Sequence, residues 1–449
     1  MKTNRSIRLI YAVDSSSQNS ERPRSDILYW QRVPNKNPSK SPSSLMDYID
    51  KNRDIIRPLV REAFSELKSI YFDNSSLASF SAESGDLLWK LSRFEESANY
   101  DKSPAFDELV KIVSLKNFID EYGFPKLFVE GFPSNLAAAI FDFCPHTIVR
   151  IIDPIDPIKL GANEGLVIRV GKIVGYATML MLRRIWWQPK KIDLNREKSK
   201  KKPKNILFLD YLYDFDTSQR EEYQSSYWGE LPARLDELGY SVFWLHLFVP
   251  HPKVRNFKRA NEVISLLNRL QNHHSLFEFE IQITEVVVAL ARTVGVLVKS
   301  KVGRLCRHWT GERVAGWSIF SDEWIRSFES TELMKNLLFV TVFKRLLQQR
   351  KYDIIVYVCE NQPWEKALCY ASCGLGQENI VASLQSSVRF WDCRYLGNLQ
   401  REFLSPEGTV LAPKFVTITG KQHQTVLQDV EGSALVAVES YRINSDYLS

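Results

Sequence analysis

From residue 205 onward, short apolar runs of β-branched and aromatic residues alternate with stretches of helical spacing. "NILFLDY", "SVFWLHLF", "DIIVYVCE", "NIVASLQ", "KFVTITG" and "ALVAVES" read as six buried strands. The spacers "GELPARLDELG", "PWEKALCYASCG" and "KQHQTVLQDVEG" are helix-like; two carry an early proline and all close at glycine. Strands that alternate with helices predict a mostly parallel, doubly wound sheet. A long helical insertion at about 256–350 interrupts it, containing "TEVVVALARTVGVLVKSKVGRLCRHW". Its spacing puts Val287, Leu290, Val294, Leu297 and Leu305 on one face, with Arg292, Lys299 and Arg304 elsewhere. That pattern predicts a packing helix, or alternatively a second basic helix facing a membrane.

The first part of the chain carries fewer strand signals. Residues 1–44 are rich in Ser, Asn and Pro around one strand-like run, Ile7–Val13. "SLMDYIDKNRDIIRPLVREAFSELKSI" then has helical spacing with Ser44 as N-cap, and "SPAFDELVKIVSLKNFIDEYG" repeats the pattern between Pro104 and Gly123. "KLFVEG" and "TIVRIID" read as short buried strands. The expected organisation is a helix-rich α/β domain at 1–160, a linker at 161–204 and a doubly wound α/β domain at 205–449.

Charge singles out the linker. Between Arg183 and Lys204 there are ten basic residues and two acidic ones, a local net of +8, whereas the whole chain is only +6. The basic character is therefore one stripe and not a property of the fold. An apolar run, Ile173–Leu182, precedes Arg183, Arg184, Trp186 and Trp187. Indoles and basic side chains gather at membrane interfaces, so peripheral contact with an anionic membrane is expected, with a solvated linker beside a core helix as the alternative. Nucleic acid is not the expected partner. No run of about 18 uncharged apolar residues occurs, so no spanning segment is expected, and the start lacks a signal-peptide apolar region.

Composition excludes more than it selects. Hydrophobic content of 44% and charged content of 25% describe an ordinary folded protein. Six cysteines form no CxxC pair, which predicts reduced, buried thiols. There is no HExxH, Walker loop, GxSxG or kinase set, and no metal site is expected. "DFD" (Asp214–Asp216) would suit a divalent cation on a diphosphate, but such triplets arise by chance at this length.

In doubly wound sheets ligands bind beyond the carboxyl ends of the strands. Those ends carry Asp210 and Tyr211, His246, Glu360 with Asn361 and Gln362, Gln385 with Ser386, and Thr419 with Gly420. Glu360 leaves a buried strand at the expected cleft, although Asn361 or Gln362 could serve only to cap the helix opened by Pro363. "SSVRFWDCRY" adds Arg389, Trp391 and Arg394, which suit a phosphate and a stacked ring, or else a packed aromatic turn.

Five stretches in constant order, "LLWKLSRFEESANYDKSP", "QSSYWGELPARLDELGYSVFWLHLFVP", "YVCENQPWEKALCYA", "SSVRFWDCRYLG" and "VAVESYRINSDYL", resemble a family of bacterial surface-carbohydrate biosynthesis proteins. The resemblance implies a glycosyltransferase of GT-B-like fold, with two Rossmann-like α/β domains. It implies no cofactor, a sugar-nucleotide donor, and a glycan or lipid-linked acceptor at the cytoplasmic membrane face. Carried over by position, Glu95, Ser97, Lys102 and Ser103 belong to a first-domain site loop, and Tyr227, Trp228, Glu360, Trp364, Glu365, Gln385, Arg389, Trp391 and Arg394 to the cleft. Glu360 or Glu365 is the expected general base. The family's histidine near Gln385 is absent, and further α/β structure is expected after "VESYR", where this chain ends at Ser449. The alternative expectation is therefore a non-catalytic glycan- or membrane-binding accessory subunit, or one half of a split enzyme.

Overall fold

The computed structural model describes residues 6–11, 26–31, 44–69, 85–96, 103–155, 165–186, 204–212, 225, 227–270, 273–310, 316–384, 390–392, 413–418 and 434–438. Two parallel sheets organise them. The first holds β1 (Ser6–Ile10), β2 (Asp26–Tyr29), β3 (Lys126–Glu130) and β4 (Ile148–Ile152) in the order β2-β1-β3-β4. The second holds β5 (Lys204–Tyr211), β6 (Tyr240–Leu247), β7 (His274–Leu276), β8 (Ile354–Cys359), β9 (Ile380–Leu384), β10 (Phe415–Ile418) and β11 (Ala434–Ala437), in the order β11-β10-β9-β8-β5-β6-β7. Every pairing in both sheets is parallel. The second sheet grows outward in both directions from β5 and β8, so the topological switch point lies between those two strands.

The helices are α1 (Leu45–Lys68), α2 (Gly85–Lys90), α3 (Arg93–Glu96), α4 (Pro104–Tyr122), α5 (Ser134–Phe143), α6 (Leu166–Trp186) and α7 (Leu231–Glu237). Then follow α8 (Phe257–Leu270), α9 (Phe277–Glu280), α10 (Ile283–Thr310), α11 (Trp317–Phe328), α12 (Thr331–Gln349) and α13 (Pro363–Cys373). Several boundaries fall where local chemistry puts them. Ser44 Oγ accepts from the Asp47 amide at 3.2 Å, and Ser103 Oγ from Phe106 at 3.3 Å. Gly123 closes α4 in the left-handed region at φ 69°, which only glycine enters without a Cβ penalty. α1 is kinked at Asn52, whose amide donates back to the Tyr48 carbonyl at 3.1 Å.

The six strands read from residue 205 onward all lie in one sheet, joined by β7 at its edge. β7 sits inside the stretch expected to be wholly helical, and β2 occupies part of the Ser/Asn/Pro-rich start. One continuous core runs from Ile7 and Leu127 of the first sheet to Leu207 and Ile355 of the second. The helices before β8 join the two. Glu323 on α11 accepts from Ser103 Oγ at 2.6 Å and from Arg93 Nε at 3.2 Å, and Asn336 on α12 donates to the Leu91 carbonyl at 2.8 Å.

Two helix faces differ from expectation. In α6, Ile173, Ala177 and Leu180 of the apolar run are buried against the protein, while Val174 and Leu182 of the same run are exposed, so only one side of it is packed. Arg183 lies over the Phe257 ring at 4.5 Å and Arg184 donates to the Phe279 carbonyl at 2.7 Å, so both end-of-helix arginines hold the helix to the protein body. In α10 the buried face is Val286, Ala289, Val296 and Leu297, while Val287 is half-exposed. Among the described residues, no helix is long and apolar enough to cross a membrane.

Candidate functional site

At the switch point β5 ends in Asp210 and Tyr211, and β8 passes into α13 through Glu360, Asn361 and Gln362. Asn361 takes a left-handed backbone at φ 56°, a conformation Asn tolerates better than most residues. The turn is held from below. Glu365 Oε1 accepts from the Glu360 amide at 2.9 Å and from the Gln362 amide at 2.8 Å. Burial pushes the Glu365 carboxyl up to about 7, although both amides favour its charged form. Trp364 Nε1 donates to Tyr211 Oη at 3.1 Å, tying the turn to the end of β5. Glu360 itself is half-buried at the edge.

These contacts change what the turn can do. A helix N-terminus at a switch point commonly receives a phosphate, yet here the amides of Glu360 and Gln362 already donate to Glu365. Glu365 is 2% exposed and cannot meet an acceptor hydroxyl in this conformation, so its geometry is that of a positioning group and not the expected base.

A second polar assembly runs along the same edge. Asp210 Oδ1 lies 2.5 Å from His246 Nδ1, and His246 Nε2 lies 3.0 Å from His274 Nδ1, with all three side chains buried. Asp210 and His246 are register partners on β5 and β6. Burial, followed by the neighbouring His246 and His273, lowers His274 well below the usual imidazole range. In this chain His246 Nδ1 faces the Asp210 carboxylate and its Nε2 shares a proton with His274 Nδ1. Asp210 Oδ2 also accepts from Ser225 Oγ at 3.2 Å, and Ser225 Oγ accepts from the Tyr227 amide at 3.2 Å. The chain thus anchors the turn that leads into α7.

That turn carries two of the expected cleft residues. Tyr227 is buried, and Trp228 is fully enclosed, edge-on to Phe208 at 5.1 Å between ring centres. Trp364 is likewise buried, between Tyr211 and Tyr357. The indoles of Trp228 and Trp364 therefore pack the core and do not present a stacking face to a ligand. In the first region, Glu95 pairs with the buried Lys90 at 3.1 Å, and Ser103 caps α4 while donating to Glu323. Glu95 thus ties α3 back to α2, and Ser103 serves the junction with α11. Trp391 is half-buried in the turn after β9, edge-on to Phe390 at 5.1 Å. Ser97, Lys102, Gln385, Arg389 and Arg394, with the Asp214–Asp216 triplet, lie outside the described residues.

Two cations near this edge were not singled out by sequence. Arg53 and Arg57, one turn apart on α1, lie over the Phe390 ring at 5.0 and 4.9 Å. No local pattern announces a contact between segments so distant in the chain. His274 is half of a His273–His274 pair, and no spacing in the sequence links it to His246. Among the described residues, no group of three or more His, Cys, Asp or Glu side chains could hold a metal. No family model, curated protein or solved structure matches the chain.

Proposed function

We propose that the chain is a glycosyltransferase of bacterial surface-polysaccharide biosynthesis, with a GT-B-like arrangement of its two α/β units, acting at the inner face of the cytoplasmic membrane. It transfers a sugar from a nucleotide donor to a glycan or lipid-linked acceptor. The observation that carries the reading is Glu360, a half-buried carboxylate at the switch point on a turn clamped by Glu365. An acceptor alcohol must lose its proton as it attacks the anomeric carbon, and Glu360 is the group positioned to take it. Arg389 and Arg394 supply charge to the departing phosphate in this reading. The buried indoles and the amides of Glu360 and Gln362, already occupied by Glu365, favour a second reading, a glycan- or membrane-binding accessory subunit without turnover.

A panel of sugar nucleotides, scored by thermal shift and by donor hydrolysis or transfer, separates the two. The transferase reading expects one donor to bind and turn over. Glu360→Gln should then lower turnover by about 10²–10⁴ with donor affinity little changed, because it keeps the shape but cannot accept the proton. A Glu360→Gln protein with full turnover removes Glu360 from the mechanism. If no donor binds, the accessory reading replaces the first.

A further inference from the structure

The helices α6 and α10 each present a second apolar face, in addition to the one they bury. On α6, Val167, Val174, Leu182 and Ile185 form an exposed stripe, with Val167 83% exposed. On α10, Ile283, Val287 and Val298 repeat the arrangement, with Val287 50% exposed. The two helices pack on each other and both touch α12, so their outer faces turn away from a common support. No described residue covers either stripe.

The exposed charges on these two helices are basic. α6 contains no acidic residue, and the single acidic residue of α10, Glu285, is buried and paired with Arg345 Nε at 2.9 Å. Lys172 and Arg292 are exposed on the same helices, and beyond α6 residues 187–203 carry seven basic residues and two acidic ones. Duplicate copies meeting here would bring like charges together, and nucleic acid has no use for an apolar stripe. Apolar side chains among basic ones match an anionic bilayer surface.

We infer that the outer faces of α6 and α10 form a two-helix platform that lies flat on anionic membrane. This deepens the proposed function by naming the surface that brings the cleft to a lipid-linked acceptor. It rests on surface chemistry alone, so its assay needs no sugar nucleotide and can fail while the transferase test succeeds.

The test is co-sedimentation of the full chain with vesicles of phosphatidylcholine alone or mixed with phosphatidylglycerol. Binding is expected only to the mixed vesicles, and added salt should weaken it. The double substitution Val174→Asp with Val287→Asp should lower binding at least tenfold. Both positions are exposed, so circular dichroism and melting temperature should match wild type. Leu238→Asp, an exposed apolar position at the end of α7, should bind as wild type does. Three results would overturn the inference: no binding to mixed vesicles, equal binding to both vesicle types, or a folded double variant that binds like wild type. A wild-type dimer that the double variant converts to monomer would assign the platform to a second copy instead.

Discussion

Glu360 and Glu365 stand five positions apart and share one turn, yet the fold gives them opposite environments. Glu360 ends a strand at the sheet edge; Glu365 points back under the turn and is sealed there. Burial moves the Glu365 carboxyl from the usual 4.5 up to about 7. Between those values the native state holds a proton that the unfolded chain releases. This contribution to stability is therefore complete below the unfolded value and is lost as pH rises through about 7, amounting to about 3 kcal/mol at most. Glu365→Gln keeps an acceptor oxygen for the two amides and cannot ionise. Its melting temperature should fall less than that of wild type between pH 5 and 8, measured side by side, with a residual slope from the buried Glu278, also raised to about 7. Equal slopes would mean that Glu365 stays charged in the native state.

At the scale of the element, α6 is held by one buried ion pair and two end contacts. Arg169 meets Glu329 at 2.7 Å, and Glu329 also accepts from Ser300 Oγ at 2.9 Å, which in turn accepts from Trp324 Nε1 at 2.7 Å. Removing one partner leaves a charge in the core, so Arg169→Met should cost about 3–5 kcal/mol by denaturant unfolding. The double variant Arg169→Met, Glu329→Leu should recover much of that loss, since both charges then go together. Additive losses would show that the pair is not coupled. The same helix illustrates how far periodicity reaches. Its sequence shows one apolar run, Ile173–Leu182, but α10 and α12 decide which side of it is buried, and Phe257 and Phe279 decide that Arg183 and Arg184 face inward.

For the whole molecule, the continuous core and the contacts of Glu323 with Arg93 and Ser103 join the two sheets into one packing unit. Tryptophans are buried on both sides of that junction, at Trp30 and Trp89 and at Trp228 and Trp324. Fluorescence and far-ultraviolet circular dichroism should therefore report one coincident urea transition; two separated transitions would show that the sheets unfold independently. The α/β alternation, the cap at Ser44, the helix stop at Gly123 and the sheet edge that carries Glu360 were legible in the chain, because they depend on side-chain period and local backbone preference, whereas the cap at Ser103 was not read. Three-residue β7 was not, since a strand so short exists through its pairing with β6. Nor was the chain of Asp210, His246 and His274, which three strands bring together, or the burial of Trp228 and Trp364. Sequence determined which segments become strands and helices and which ends meet at one edge. Tertiary packing alone decided which polar groups at that edge remain available, because burial and long-range partners are set by neighbours that local spacing does not specify.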